Sequence, residues 1–286
     1  MSNEEFYIGW MAKAPDSFAK WIKKYLLFLL FVVIVLGVLL ALSQKKFGTG
    51  NFEFGTLTEV KGVYFNKPVA NIKVLNGKDI WGNESFITIP LIGFGKHGAD
   101  GTIAEIEKEK NISLDGKEVT LKGTLLYNDG KLLMQIDAND QPFVSIGSTV
   151  TATSLRPIMK DLGMINIKGE IVDPKCFFGV MKPGEGKPHK DCATRCILGG
   201  IPPVLKVTAE NGNQNYYLIV GLNGEKMNEA VKDFVALPVE VHAKVVQYND
   251  WIVLYVNADN GINKISRSAF YQPHTSMIAC AVTGCK

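Results

Sequence analysis

The stretch "GKEVTLKGTLLYNDGKLLMQI", residues 116–136, decides the fold, because it has a counterpart later in the chain, "ALPVEVHAKVVQYNDWIVLYV", residues 236–256. Both segments alternate apolar and polar residues, as half-buried β-strands do, and both turn at Tyr-Asn-Asp. Internal similarity of this kind indicates a repeated structural unit. The sequence therefore predicts two equivalent hairpins, in which Tyr127 and Tyr248 occupy equivalent places.

The segments that precede the two hairpins correspond as well. The pairs of segments are "GTLTEVKGVYF" (55–65) with "MINIKGEIVDP" (164–174), and "SFITIPLI" (85–92) with "NYYLIV" (215–220). A Gly-rich turn and a helix-like run follow each member of the second pair, namely "TIAEIEKEK" (102–110) and "EKMNEAVKDFV" (225–235). Each half therefore reads strand, strand, strand, helix, strand, strand.

This order resembles the OB-fold, a five-stranded barrel with a helix between its third and fourth strands. The resemblance covers residues 54–148 and 165–258, and it implies a mostly β protein with two OB-fold-like barrels in tandem. The segment "SLRPIMKDLGM", residues 154–164, would be a short helical connector. One continuous β-sandwich is the alternative.

A single uncharged run, "YLLFLLFVVIVLGVLLAL" at 25–42, stands apart from the strands. At 1.5 Å per residue, 18 helical residues span about 27 Å, near the hydrocarbon thickness of a bilayer. A buried core helix would show a polar face, and a cleaved signal peptide would follow a short basic segment rather than 24 residues that include Glu4, Glu5 and Asp16. The run predicts a retained transmembrane helix.

Lysines near the two ends of this run predict its orientation. Four lysines precede it (Lys13, Lys20, Lys23 and Lys24), and two follow it (Lys45 and Lys46). Because positive charge is retained on the cytoplasmic side, we expect a cytoplasmic N-terminus and a periplasmic body, at a bacterial inner membrane. The alternative is a cytosolic body on a reversed anchor. Aromatic residues in the tail before the anchor suit the membrane interface or a segment that docks on a neighbouring membrane protein.

The chain then divides into consecutive regions. These are an N-terminal tail at 1–24, the transmembrane helix at 25–42, a linker at 43–53, a first OB-like domain at 54–148, a connector at 149–164, a second OB-like domain at 165–258 with an insertion at 173–203, and a C-terminal tail at 259–286. A net charge of +3 is too small to imply a polyanionic partner, and no basic patch with interleaved aromatics lies outside the membrane flank, so no nucleic-acid partner is expected.

The segment "GFGKHG", residues 93–98, matches the glycine pattern of dinucleotide-binding proteins. No parallel βαβ unit follows it, because the next segment is the hairpin that ends at Ile136. Its counterpart in the second half, "VGLNGEK" at 220–226, is an ordinary strand-to-helix turn. We therefore expect no nucleotide, and we expect His97 to be a solvated loop residue.

The two halves differ in one place, between their first two strands. Gly62 and Val74 are 12 positions apart, whereas the corresponding Gly169 and Val207 are 38 positions apart, so the second half carries 26 more residues there. In OB-folds this connection is a ligand-binding loop. The addition contains four candidate ligands, and the first half has no cysteine; the candidates are Cys176, His189, Cys192 and Cys196.

The spacing of these four residues suits a metal ion. Two cysteines separated by three residues in an extended loop can place two thiolates on one cation, and His189 lies near enough in sequence to join them. Thiolates with an imidazole suit copper first, and zinc or iron less. The Cys-x3-Cys pair resembles the copper pair of cytochrome oxidase subunit II and of the chaperones that load it. This chain departs from that pattern, because "ILGGIPPV" follows Cys196 with neither His nor Met, so Met181 would supply any thioether.

Two other interpretations of the cysteines stay open. In an oxidising compartment, Cys176 would pair with Cys192 or Cys196 and close the insertion as a disulfide loop, with no metal needed. A Cys–His nucleophile pair is conceivable, although the loop offers no obvious third orienting group. The C-terminal tail adds weaker candidates for metal contact or a disulfide, namely His274, Met277, Cys280 and Cys285.

The sequence therefore predicts a membrane-anchored periplasmic subunit or accessory protein of a respiratory or metal-handling complex. Its site in the second barrel would serve metal binding, electron transfer or metal delivery. The alternative is a structural or interaction subunit whose disulfide-closed insertion docks a partner protein. Both interpretations favour a binding protein over an enzyme. In both, the N-terminal tail and the anchor would contact partners in a membrane complex.

Overall fold

The N-terminal helix, α1, spans Asp16–Ser43 in a computed structural model that describes residues 16–44, 50–149, 156–209 and 212–270. Its section from Phe18 to Ser43 contains an 18-residue window with a mean hydropathy of 3.2 and is long enough to cross a membrane. The predicted transmembrane segment at 25–42 lies within it. By contacts, α1 belongs to a first unit of the chain, and the residues from Gly48 onward form a second compact unit.

The second unit is mostly β, as the sequence predicts. Its strands are β1 Asn51–Phe52, β2 Thr58–Phe65, β3 Asn71–Lys78, β4 Glu84–Gly93, β5 Lys117–Asn128, β6 Lys131–Ile136, β7 Phe143–Thr149, β8 Met159–Val172, β9 Val204–Thr208, β10 Gln214–Gly221, β11 Pro238–Tyr248, β12 Trp251–Val256 and β13 Ile262–Lys264. Its α-helices are α2 Asp100–Lys110, α3 Lys190–Leu198 and α4 Arg267–Phe270.

Five strands of the first half close into a barrel. The pairings run β2–β3–β4–β6–β5 and return from β5 to β2; β4 and β6 are parallel, and the other neighbours are antiparallel. Strands β1 and β7 also pair with β5. Helix α2 joins the third and fourth barrel strands, as predicted, and buries Ile103 and Ile106 in the barrel core. The closed pairing confirms a five-stranded barrel here in place of a continuous sandwich.

The strands of the second half pair in the same order. Their sequence is β8–β9–β10–β12–β11, with β11 pairing back to β8, and again the third and fifth strands are the parallel pair. Alternating side chains of these strands form a separate apolar core that includes Ile171, Leu205, Val239 and Val241. The Tyr-Asn-Asp turns end the fourth strand in both halves, but Tyr127 is 38% exposed whereas Tyr248 is 3% exposed.

Two helix predictions in the second half are wrong. The segment at 225–235 forms hydrogen-bonded turns and one 3-10 turn, Lys232–Phe234, and the side chain of Asn228 donates hydrogen bonds to the carbonyls of Ile197 and Ile201. The expected helical connector at 154–164 is strand from Met159 onward, because β8 extends to pair with the end of β11 at Tyr248.

The two halves pack on each other through their turns and a shared apolar cluster. Asn128 and Asp129 of the first Tyr-Asn-Asp turn hydrogen-bond the hydroxyl of Tyr216 on β10, at 2.9 and 2.5 Å. Asn249 and Asp250 of the second turn reach Thr88 on β4, at 3.0 and 2.9 Å. Each turn therefore contacts the third strand of the other half. The shared cluster includes Ile92, Leu126 and Leu133 from the first half with Phe178, Tyr216 and Trp251 from the second.

Candidate metal centre

The segment between β8 and β9, residues 173–203, carries the site. Its counterpart between β2 and β3 is only residues 66–70. The segment folds as a π-helical turn at Cys176–Val180, a 3-10 turn at Lys187–His189 and helix α3. Polar contacts hold it to the second sheet: the amide of Gly186 donates to Glu170 at 2.6 Å, and Lys206 of β9 forms ion pairs with Glu170 and Glu185.

Three cysteines of this segment converge. Cys192 and Cys196 lie one turn apart on α3, so their side chains share one face of the helix. Cys176 begins the π-helical turn that faces them. The three sulfur atoms all lie within 4.8 Å of one another. The expected convergence of the Cys-x3-Cys pair is therefore present, although Cys192 and Cys196 lie on a helix and not in an extended loop.

These cysteines are free thiols. Among the described residues, Cys176, Cys192 and Cys196 form no disulfide. Cys176 and Cys196 are buried, and Cys192 is half-buried. The predicted disulfide loop is therefore not formed here, and the insertion folds through its helices and its contacts with the sheets.

His189 lies beside Cys176 and belongs to a second group of donors that shares this cysteine with the first. One of its ring nitrogens, the Sγ of Cys176 and a carboxylate oxygen of Asp173 all lie within 4.8 Å of one another. All three residues are buried, Asp173 at 0% exposure and His189 at 3%. The Nε2 atom of His189 and the Oδ2 atom of Asp173 have no hydrogen-bond partner. A buried polar atom without a partner costs about 1–3 kcal/mol, so this pair suits a further ligand.

Met181 places a thioether at the outer side of the cluster. Its Sδ atom lies 3.8 Å from the Sγ atom of Cys192. Two sulfurs that bind one ion through bonds of about 2.3 Å lie about 3.8 Å apart at a tetrahedral angle. Met181 is 46% exposed, so this donor faces solvent.

A loop from the first half forms one wall of the site. Lys96 of the "GFGKHG" segment donates from Nζ to the Sγ of Cys192 at 3.1 Å. Lys175, buried in the insertion, donates back to the carbonyls of Gly93 and Gly95 at 2.8 and 2.7 Å. The glycine pattern therefore serves packing against the insertion. Sequence analysis missed Lys96 because it is 96 positions from Cys192.

The glycines of this loop and of the end of α3 allow the two backbones to approach. A Cβ atom on Gly98 would lie 2.3 Å from the carbonyl oxygen of Gly200, and one on Gly199 would lie 1.8 Å from the carbonyl oxygen of Lys96. The amide of Gly98 donates to the carbonyl of Gly199 at 3.0 Å. Only glycine fits at such distances.

Burial and neighbouring charges set the protonation of the cluster. The hydrogen bond with Cys196 and then burial raise the pKa of the Cys176 thiol, and the charge of Asp173 raises it further. Burial lowers the pKa of His189, which keeps its imidazole neutral, the form that binds metals. The hydrogen bond to Cys192 raises the pKa of Lys96, whereas burial lowers that of Lys175.

The remaining predicted residues are His97 and the four candidates of the C-terminal tail. His274, Met277, Cys280 and Cys285 fall outside the described residues. His97 is exposed in its loop, as expected. His242 pairs across the sheet with Asn166, at 2.6 Å between Nδ1 and Oδ1. Asp173 was not identified from sequence, because an Asp before Pro at the end of a strand is a common turn residue.

Comparison with protein-family models and with curated protein sequences finds no match. The chemistry of the site is therefore the basis for its function. The segment offers two groups of donors that share Cys176: the three thiols, and Cys176 with the imidazole of His189 and the carboxylate of Asp173. The thioether of Met181 lies next to Cys192, and the unpartnered buried atoms of His189 and Asp173 fit a metal ion.

Proposed function

We propose that this protein is a membrane-anchored binding protein for a thiophilic metal ion, which Cys176, Cys192 and Cys196 hold together with His189. The observation that carries the proposal is the convergence of three sulfurs within 4.8 Å, from two separate turns of the insertion. Disulfide staples need only two of them, and core packing needs none.

The donor set favours a soft ion. Thiolate ligands select Cu(I) and Zn(II), whereas oxygen donors select Mg²⁺ and Ca²⁺. Three thiolates with one imidazole match a common four-coordinate zinc set, and three thiolates alone suit Cu(I). Binding either ion converts thiols to thiolates and releases their protons.

The fold supports a binding role. We propose that both sheets are OB-fold modules, because they share the strand order first, second, third, fifth, fourth and back to first. In this fold the connection between the first two strands is a ligand-binding loop, and the cysteine-rich insertion occupies that connection in the second module. The first module contributes Lys96 to the wall of the site.

The proposed cellular location rests on helix α1 and on the lysines that flank its apolar run. We propose a single-pass inner-membrane protein with its body in the periplasm, because four lysines precede the apolar run and two follow it. Its role there would be metal delivery, or electron transfer, in a respiratory or metal-handling complex. A reporter enzyme fused after Lys286 that is active only in the cytosol would reverse this orientation.

A nucleophilic thiol is the second function that the geometry raises, because Asp173 supplies the orienting group next to His189 and Cys176. Such a site needs a thiolate that a substrate can reach. Here all three residues are buried, and the pKa of the Cys176 thiol is raised. We therefore favour metal binding.

The test is the metal content of cysteine variants. Full-length protein purified in detergent under reducing conditions should bind one equivalent of Cu(I) or Zn(II). Replacing Cys192 and Cys196 together by Ser should abolish that binding and leave the β-sheet circular dichroism unchanged, since the first half forms the same strand order without cysteines. The matched control replaces Cys280 and Cys285 by Ser and should retain the ion.

The opposite pattern would support the interaction subunit. That alternative requires that the native protein contains no metal, that its cysteines are oxidised in the cell, and that the Cys192/Cys196 variant melts at a lower temperature, since losing a native disulfide typically costs about 2–5 kcal/mol.

A further inference from the structure

We propose that the ion is Cu(I), and that it enters and leaves the site through a port formed by Cys192, Met181 and Lys96, by direct exchange with a carrier that presents thiolate or thioether donors. This inference rests on the proposed metal binding and adds the identity of the ion, the route and the chemistry of the partner.

The sulfurs differ in depth. Cys176 and Cys196 are 4% and 2% exposed, so their sulfurs lie on the buried side of the site. Cys192 is half-buried, and Met181 beside it is 46% exposed. An incoming ligand therefore reaches Met181 and Cys192 before it reaches the other two sulfurs.

The thioether at the port discriminates between ions. Cu(I) binds thioethers as well as thiolates, whereas zinc sites use thiolates, imidazoles and carboxylates. The 3.8 Å between Met181 Sδ and Cys192 Sγ matches the spacing of two sulfurs on one ion. A solvent-facing methionine at this distance offers a temporary ligand to copper and none to zinc.

Lys96 lies at the same port and comes from the other half of the fold. Its Nζ contacts Cys192 at 3.1 Å, on an exposed side chain. The contact is a hydrogen bond from a long, exposed side chain, and the flexible four-carbon stem of Lys96 lets it withdraw when copper arrives.

The exchange needs no oxidant or reductant. Copper arrives as Cu(I) on the carrier and remains Cu(I). Bonds from Met181 and Cys192 to copper form as bonds to the carrier's sulfurs break, one at a time, and Cys176 and Cys196 then replace Met181. The protons of the thiols that bind pass to solvent, and the carrier's thiolates take up protons as they leave.

The rate of copper exchange tests the port. Full-length protein in detergent, loaded anaerobically with one equivalent of Cu(I), is mixed with the chelator bathocuproine disulfonate, and transfer is followed by absorbance. We expect Met181→Leu to slow transfer by about tenfold or more while the bound copper stays at one equivalent. The matched control is Met164→Leu, an exposed methionine on β8 outside the insertion, which should exchange like the unaltered protein.

A zinc-transfer measurement is the second part of this test. If the protein also takes up Zn(II), its transfer to 4-(2-pyridylazo)resorcinol should be the same with and without Met181→Leu. Equal copper rates in the variant and the unaltered protein, or a protein that binds Zn(II) and no Cu(I), would overturn the port while metal binding itself still stands. Binding of neither ion would overturn the proposed function and the port together.

Discussion

His189 and Asp173 each have a buried polar atom that a bound ligand would satisfy. Both are buried, and each has one polar atom without a hydrogen-bond partner. Proteins rarely leave such atoms unpaired, because their lost hydration is not repaid. A metal ion bound to His189, with Asp173 orienting the ring, would satisfy both.

The residue-scale prediction concerns His189. We expect His189→Ala to weaken metal affinity by about 10–100-fold, as loss of a ligand or of its orienting partner does. The control is His242→Ala, which removes an exposed histidine bonded to Asn166 and should leave affinity unchanged. Competition with a chelator of known affinity measures both. Equal affinities in the two variants would remove His189 from the site.

The sequence predicted the site residues that lie together in the insertion, except Asp173, and it did not predict Lys96, which comes from the other repeat. The cysteines and His189 stand out because a cysteine-free first half lacks their segment, and Met181 lies within the same segment. Lys96 could not be identified, since no local pattern brings together residues from two repeats. Asp173 carried no signal that distinguishes it from an ordinary turn residue.

At the scale of elements, the site depends on the close approach of the loop at 93–98 to the C-terminal end of α3. The carbonyls of that loop bind Lys175, and its Gly98 bonds the carbonyl of Gly199. Asn228 holds the same helix end through the carbonyl of Ile197 at 2.6 Å. The helix-like run at 225–235 was misleading in sequence, because tertiary contacts decide its structure.

The element-scale prediction concerns Gly98. We expect Gly98→Ala to destabilise the fold by about 1–3 kcal/mol, because the new methyl would lie 2.3 Å from a backbone oxygen of Gly200. Gly101→Ala, on the first turn of α2 with open space around it, should leave stability unchanged or raise it by up to about 1 kcal/mol. Urea unfolding followed by circular dichroism compares the two. A neutral Gly98→Ala would mean that the loop does not pack closely on the insertion.

At the scale of the whole molecule, the repeat explains both the strand order and the way the halves join. The Tyr-Asn-Asp turns predicted equivalent hairpins, and the strand pairings have one order in both halves. The sequence did not predict that the Asn and Asp of each turn contact the third strand of the other half. Such reciprocal contacts resemble those of a two-fold dimer within one chain, and only one half has acquired the insertion.

The asymmetry between the halves explains the different environments of the two turn tyrosines. Tyr248 is buried, whereas Tyr127 is exposed and accepts a hydrogen bond from Asn51 of β1. Among the strands that the structure describes, β1 pairs only with β5, and its neighbour Gly50 contacts the backbone of Phe178 in the insertion. The insertion therefore contacts both halves, and the first half supplies Lys96 to the site.

X-ray absorption at the metal edge of the full-length protein, purified in detergent and loaded with one equivalent of Cu(I), tests the central claim most directly. We expect a first shell dominated by sulfur at about 2.3 Å, and the loss of that shell when Cys192 and Cys196 are replaced by Ser. A first shell of nitrogen and oxygen only, or an identical sulfur shell in the variant, would contradict a metal centre built from Cys176, Cys192 and Cys196.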